Sequence, residues 1–101
     1  MQEKRLHPRK VVDIPVTITF EATQMQAPGM CRDISIGGMF VETETKAAFG
    51  DKLSIQIAAH GGPLTFPAIV RWTVATGLGL QFELVGARET HAIVQWMSAR
   101  R

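Results

Sequence analysis

At 101 residues, 46% of them apolar, the chain has material for one core, and splitting it in two would leave each part too little interior. Eleven Lys and Arg against nine Asp and Glu give a net charge of +2, too slight a bias for a general nucleic-acid-binding surface. A single cysteine, Cys31, excludes an intrachain disulfide, a cysteine-built zinc cluster and a CxxC redox pair.

The basic residues are unevenly spread. Lys4, Arg5, Arg9 and Lys10 fall in the first ten positions, whereas residues 11 to 31 contain none, a distribution that favours a local anion site. Residues 1–10 read as a flexible basic arm, because His7-Pro8 disfavours helix and no alternation is present. This leader has neither the apolar run nor the cleavage site of a secretory signal, and no stretch approaches the roughly 20 apolar residues that span a bilayer. The expectation is a cytoplasmic protein that does not insert into membranes.

Residues 11–84 alternate with the period of strands. In the first run Ile14, Val16, Ile18 and Phe20 point one way, with Asp13, Pro15, Thr17 and Thr19 on the other side. The second places Met30, Ile34 and Ile36 on one face and Cys31, Asp33 and Ser35 opposite, so that Asp33 and Ser35 are expected to face outward together. Gly37-Gly38 supplies a tight reversal through the positive φ that glycine tolerates, and Met39, Val41 and Thr43 line a third strand. The fourth carries Leu53, Ile55, Ile57 and Ala59 and is broken at His60-Gly61-Gly62-Pro63. The fifth presents Leu64, Phe66, Ala68, Val70 and Trp72 on one side, and Pro67, lacking a ladder donor, predicts an edge or a bulge there. The sixth, Gly77 to Leu84, alternates Leu78, Leu80, Phe82 and Leu84 with Gly77, Gly79, Gln81 and Glu83. Beyond Gly86 the period changes: Ile93, Val94, Trp96 and Met97 cluster at helical spacing, predicting a helix over residues 87–100, with Glu89 near its start and Arg100 near its end suiting the helix dipole. The fold class is mainly β, a six-stranded antiparallel barrel with a C-terminal helix, as one domain over 1–101.

Two motifs carry chemistry: Arg5-x-x-x-Arg9 before the first strand, and Asp33-x-Ser35-x-x-Gly38 at the hairpin between strands two and three. With Ile69-Val70-Arg71-Trp72, Gly77-Leu78-Gly79-Leu80-Gln81-Phe82 and the closing helix, they make the chain resemble the PilZ domain family across nearly its whole length. That resemblance implies binding of cyclic di-GMP by Arg5, Arg9, Asp33, Ser35 and Gly38, with Lys4, Gly37 and Arg71 as secondary candidates. Lys4 stands where the family's residue is thought to influence whether one ligand or a stacked pair is held. The chemistry is compatible: guanidinium groups pair bidentately with phosphate or a guanine O6/N7 edge, a carboxylate complements guanine N1 and N2 donors, and a hydroxyl bonds either.

The resemblance further implies a receptor acting through an unidentified effector protein, in motility, surface attachment or exopolysaccharide control, as monomer or homodimer. One alternative is an interaction adaptor of the same fold that has lost its ligand. A barrel binding single-stranded nucleic acid is disfavoured, because the Phe and Trp residues fall mostly on apolar faces and Tyr is absent. No enzyme, metal or cofactor is expected. His7, His60 and His91 are scattered over arm, turn and helix, Ser35 has no adjacent base or nucleophile elbow, and Cys31 has no partner motif. Trp72 and Trp96 read as core or barrel-helix packing.

Overall fold

The computed structural model describes residues 9–98. Its six strands are β1 (Lys10–Phe20), β2 (Gln26–Ile34), β3 (Gly38–Glu42), β4 (Lys52–Ile57), β5 (Leu64–Val74) and β6 (Gly77–Phe82), followed by helix α1 (Ala87–Ser98). Every neighbouring pair is antiparallel and the sheet closes in the order β1-β2-β3-β6-β5-β4. Closure gives each strand a neighbour on both sides, although the longer strands overrun their partners: β1 pairs with β4 only over Thr17–Phe20.

The interior is what the alternation predicts over most of each strand. Val16 and Ile18 of β1, Met39 and Val41 of β3, Leu53, Ile55 and Ile57 of β4, Leu64, Phe66, Ala68 and Val70 of β5, and Leu78, Leu80 and Phe82 of β6 are all buried. Phe66 stacks on Phe82, and Trp96 of α1 tilts against Phe66 at 6.1 Å between centroids, so the helix packs over the start of β5 with Ile93 buried beneath it. Polar bonds fix the helix there. The Arg88 guanidinium donates to the carbonyls of His60, Gly62 and Pro63, and Glu89 Oε2 accepts the Thr65 N–H at 3.0 Å. Gly61 and Gly62 take positive φ, which turns those carbonyls within the reach of Arg88.

Three β-bulges change which way later residues point. The register slips between Val11 and Ile14 in β1, between Cys31 and Asp33 in β2, and between Val70 and Trp72 in β5. An extra residue inverts the in-out parity of the remainder of its strand. Cys31 and Ile34, three apart, are therefore both interior, which corrects the expected grouping of Ile34 with Met30 and of Cys31 with Asp33. Trp72 likewise leaves the face of Val70 and lies on the outer wall, 48% exposed, where it stacks on Phe40. Only Trp96 of the two tryptophans packs between barrel and helix. Ile36 and Leu84 lie beyond their strands' ends and are exposed, Leu84 at 92%, and Ala59 comes after the end of β4.

Pro67 pairs with Ser54 of β4 on one side and lies just beyond the β5–β6 register on the other. Its carbonyl accepts the N–H of Glu83, one residue past β6, so the missing donor faces the place where the partner strand has run out.

Candidate ligand-binding site

Arg9 stands one residue before β1. Pairing of Lys10 with Ile34 and of Val11 with Asp33 brings this root of the leader against the end of β2. Both Nε and Nη2 of Arg9 donate to Oδ1 of Asp33, at 2.7 and 2.5 Å. The two side chains are 22% and 30% exposed, so the pair sits at the surface but is partly shielded. The bulge at Arg32 makes this contact: it turns Asp33 outward while Cys31 stays inside. Arg32, the extra residue, is held on the outer wall between Asp13 and Glu42.

The hairpin between β2 and β3 is tightly self-bonded. The Ser35 N–H donates to the Gly38 carbonyl at 2.8 Å, its hydroxyl donates to the same oxygen, and its Oγ accepts the Gly37 N–H at 3.2 Å. Ser35 is only 2% exposed, which corrects the expectation that it projects outward beside Asp33. β2 ends at Ile34, and the hydroxyl folds into the turn as a local bridge.

Neither Gly37 nor Gly38 is among the positive-φ residues, so the reversal does not depend on the left-handed conformation expected of them. Gly38 is required by a close approach instead: a Cβ there would lie 2.0 Å from the Leu80 carbonyl oxygen across the β3–β6 pair. The Gly37 carbonyl accepts the Phe82 N–H, tying the turn to the end of β6.

On the far side of β3, Gln81 lies opposite Gly38 and accepts the Nε–H of Arg71 at 2.6 Å. Arg71 is the extra residue of the β5 bulge, and its guanidinium carbon is 5.9 Å from the centroid of the exposed Phe49 ring. Arg9, Asp33, Ser35, Gly37 and Gly38 are thus brought together around one hairpin, with Arg71 two strands away. Arg5 and Lys4 lie outside the described residues. Gln81 and Phe49 were not legible as site neighbours. The outward parity of Gln81 was visible, but its register against Gly38 and Arg71 was not. Among the described residues no three His, Cys, Asp or Glu side chains gather as a metal site, and no helix is long and apolar enough to cross a membrane.

An all-antiparallel six-stranded barrel with one C-terminal helix, carrying a leader cation on a strand-end carboxylate, defines a class of small β-barrel domain. The PilZ domain profile matches residues 3–99, and the chain belongs to that family, whose members are cyclic di-GMP receptor domains and not, in general, enzymes. Solved structures of the same fold include the PilZ domain of CeSA from a cellulose-synthesizing bacterium, 18% identical with a TM-score of 0.72, covering 87% of this chain and 92% of that one. The PilZ domain of YcgR from Escherichia coli, solved with c-di-GMP, is 19% identical with a TM-score of 0.73, covering 94% and 88%. PlzA of Borreliella burgdorferi, in complex with c-di-GMP, is 17% identical with a TM-score of 0.75, covering 92% of this chain and 40% of PlzA. Among curated protein sequences none is significantly similar to this chain.

Proposed function

We propose that this chain is a cyclic di-GMP receptor that binds its ligand with Arg5, Arg9, Asp33, Ser35 and Gly38 and passes the signal to a partner protein. The observation that carries the reading is the Arg9–Asp33 ion pair, which joins the leader motif to the hairpin motif across 24 residues of sequence. Family membership supports the ligand, as do neighbours of the same fold solved with c-di-GMP.

The pair is a resting arrangement. Arg9 and Asp33 neutralise each other until a ligand offers a phosphate or guanine edge to the guanidinium and guanine donors to the carboxylate. Releasing a partly exposed pair costs on the order of 0–1 kcal/mol. Micromolar binding is worth about 8 kcal/mol, so the exchange is a small opposing term. Ser35 holds the turn in shape, and its long hydroxyl bond to Gly38, 3.4 Å, is the one it can surrender to a ligand. Exchange of the Arg9–Asp33 pair for ligand contacts is the two-state element through which occupancy changes the surface shown to a partner. The output is in motility, surface attachment or exopolysaccharide control.

Titration calorimetry of the full chain with cyclic di-GMP tests this. Saturable heat at micromolar ligand is expected, with Arg9→Ala or Arg5→Ala weakening affinity about tenfold to a hundredfold. An absence of heat from the folded wild-type chain would overturn the receptor reading in favour of an adaptor without a ligand.

A further inference from the structure

We infer that Arg32 is a positioning residue of the binding site. Held between Asp13 of β1 and Glu42 of β3, it locks the place where β2 is out of step with both neighbouring strands, and so keeps Asp33 facing Arg9. This deepens the receptor reading above and rests on it.

The strand register shows the mismatch. From Cys31 to Asp33 β2 advances two residues, while β1 covers three, from Ile14 to Val11, and β3 covers one, from Val41 to Phe40. Both irregularities fall on Arg32. A ladder interrupted on both flanks holds its register less firmly than a continuous one, and a slip of one residue exchanges the faces of the side chains beyond it. The consequence for the site is direct. Cys31 is fully buried, so plain alternation would turn Asp33 inward and Ile34 outward; instead Ile34 is buried and Asp33 reaches the surface. Val11 pairs with Asp33, and Arg9 stands two residues before Val11, so this register is the one that brings guanidinium and carboxylate together.

The contacts of Arg32 hold that register from both sides. Its Nη1 donates to Oδ1 of Asp13, inside the β1 stretch that carries the additional residue. Its Nε and Nη2 both donate to Oε1 of Glu42 on the β3 side, each at 2.6 Å. One planar guanidinium therefore spans the three strands over which the register is irregular, with its nitrogens aimed in fixed directions. The same contacts keep it from serving as a ligand cation. All three nitrogens already donate to carboxylates, and two carboxylates against one guanidinium leave the cluster net negative. Its influence on an anionic ligand has to pass through Asp33, the next residue in the chain.

The test combines NMR of the Arg9 Nε–H in the ligand-free chain, calorimetric titration of cyclic di-GMP at low and high salt, and thermal melts as a folding control. In Arg32→Ala the Arg9 Nε–H signal is expected to move toward that of a free guanidinium, and affinity to fall about threefold to tenfold. The salt dependence of binding should stay as it is, because no ligand contact has been removed. Asp13→Asn and Glu42→Gln give a test of sign. Each removes a negative charge near an anionic ligand, so charge by itself would tighten binding, whereas a loosened register weakens it; weaker binding is expected in both. Arg32→Lys, a charge without the fork, is expected to recover only part of the affinity. Wild-type affinity with an unmoved Arg9 signal in Arg32→Ala would overturn the inference, whatever the melting temperature did, as would tighter binding in the two carboxylate variants. A flattened salt dependence in Arg32→Ala with the Arg9 signal in place would also overturn it, by making Arg32 a direct ligand contact. Each of these outcomes leaves the receptor reading intact. No binding by the wild-type chain would overturn both.

Discussion

The indole of Trp72 lies flat on the main chain of Gly79, so close that a Cβ on that glycine would sit 2.0 Å from a ring carbon. Phe40 lies beside it, stacked at 5.3 Å with 15° between the planes, and a Cβ at Gly77 would meet the Phe40 ring. Two glycines of β6 thus form a floor for two aromatic rings on the outer wall. The same register runs on from Phe40 to Asp33, tying this wall to the hairpin. Gly79→Ala should displace the indole and cost about 1–3 kcal/mol of stability. Thermal melts would show the loss, and a red shift of tryptophan emission, absent in a Trp72→Phe background, would report that the Trp72 indole had moved into water.

The Arg9–Asp33 pair should separate binding from stability. Both side chains are partly solvated, so Arg9→Ala, Asp33→Ala and the double variant are each expected to change stability by no more than about 1 kcal/mol. Their effect on cyclic di-GMP affinity should be tenfold or more. Chemical denaturation beside calorimetry checks this, and a stability loss equal to the binding loss would make the pair a structural clamp alone.

Ser35→Ala removes the hydroxyl that bridges Gly37 and Gly38 inside the turn. A loss of about 1 kcal/mol is expected, with faster amide exchange at Gly37 as its local signature.

Arg88→Ala should free the His60–Pro63 turn from α1 while leaving the Ile93 and Trp96 packing in place. Loss of three bonds at an exposed position predicts about 1 kcal/mol of destabilisation. Hydrogen exchange should quicken in the first turn of the helix and at residues 60–63, with the β2–β3 hairpin unchanged.

Burial in the barrel, with the Asp33 charge as a smaller cause, pushes the Cys31 thiol up to about 12 from 9.0. The thiol therefore stays protonated and inert to alkylating reagents in the folded chain at pH 8. For an acid raised by folding, the stability it contributes is complete below the unfolded value and lost as pH rises toward the folded one. Denaturation midpoints should accordingly fall between about pH 9 and pH 12 in the wild type, and less so in Cys31→Ala. Rapid labelling of the native chain at pH 8 would contradict the burial.

Residue order alone determined the barrel. Alternation in Val16–Ile18, Met39–Val41, Leu53–Ile57 and Leu78–Phe82 reflects a backbone that turns each successive side chain to the opposite face, and the change of period after Gly86 reflects the switch to 3.6 residues per turn. The two motifs, too, were legible, because their residue types and spacing are local. What the tertiary structure decided was parity and partnership. A bulge adds one residue without any mark in composition, so Cys31 and Trp72 took the faces that strand pairing imposed rather than those that counting by twos assigns. The same holds for Ser35, drawn inward by bonds to a turn, and for Gly38 and Gly79, whose need for glycine comes from a carbonyl and an indole brought over them by neighbouring strands. Long-range register is set by summed packing over the closed sheet, and no single stretch of chain contains that sum.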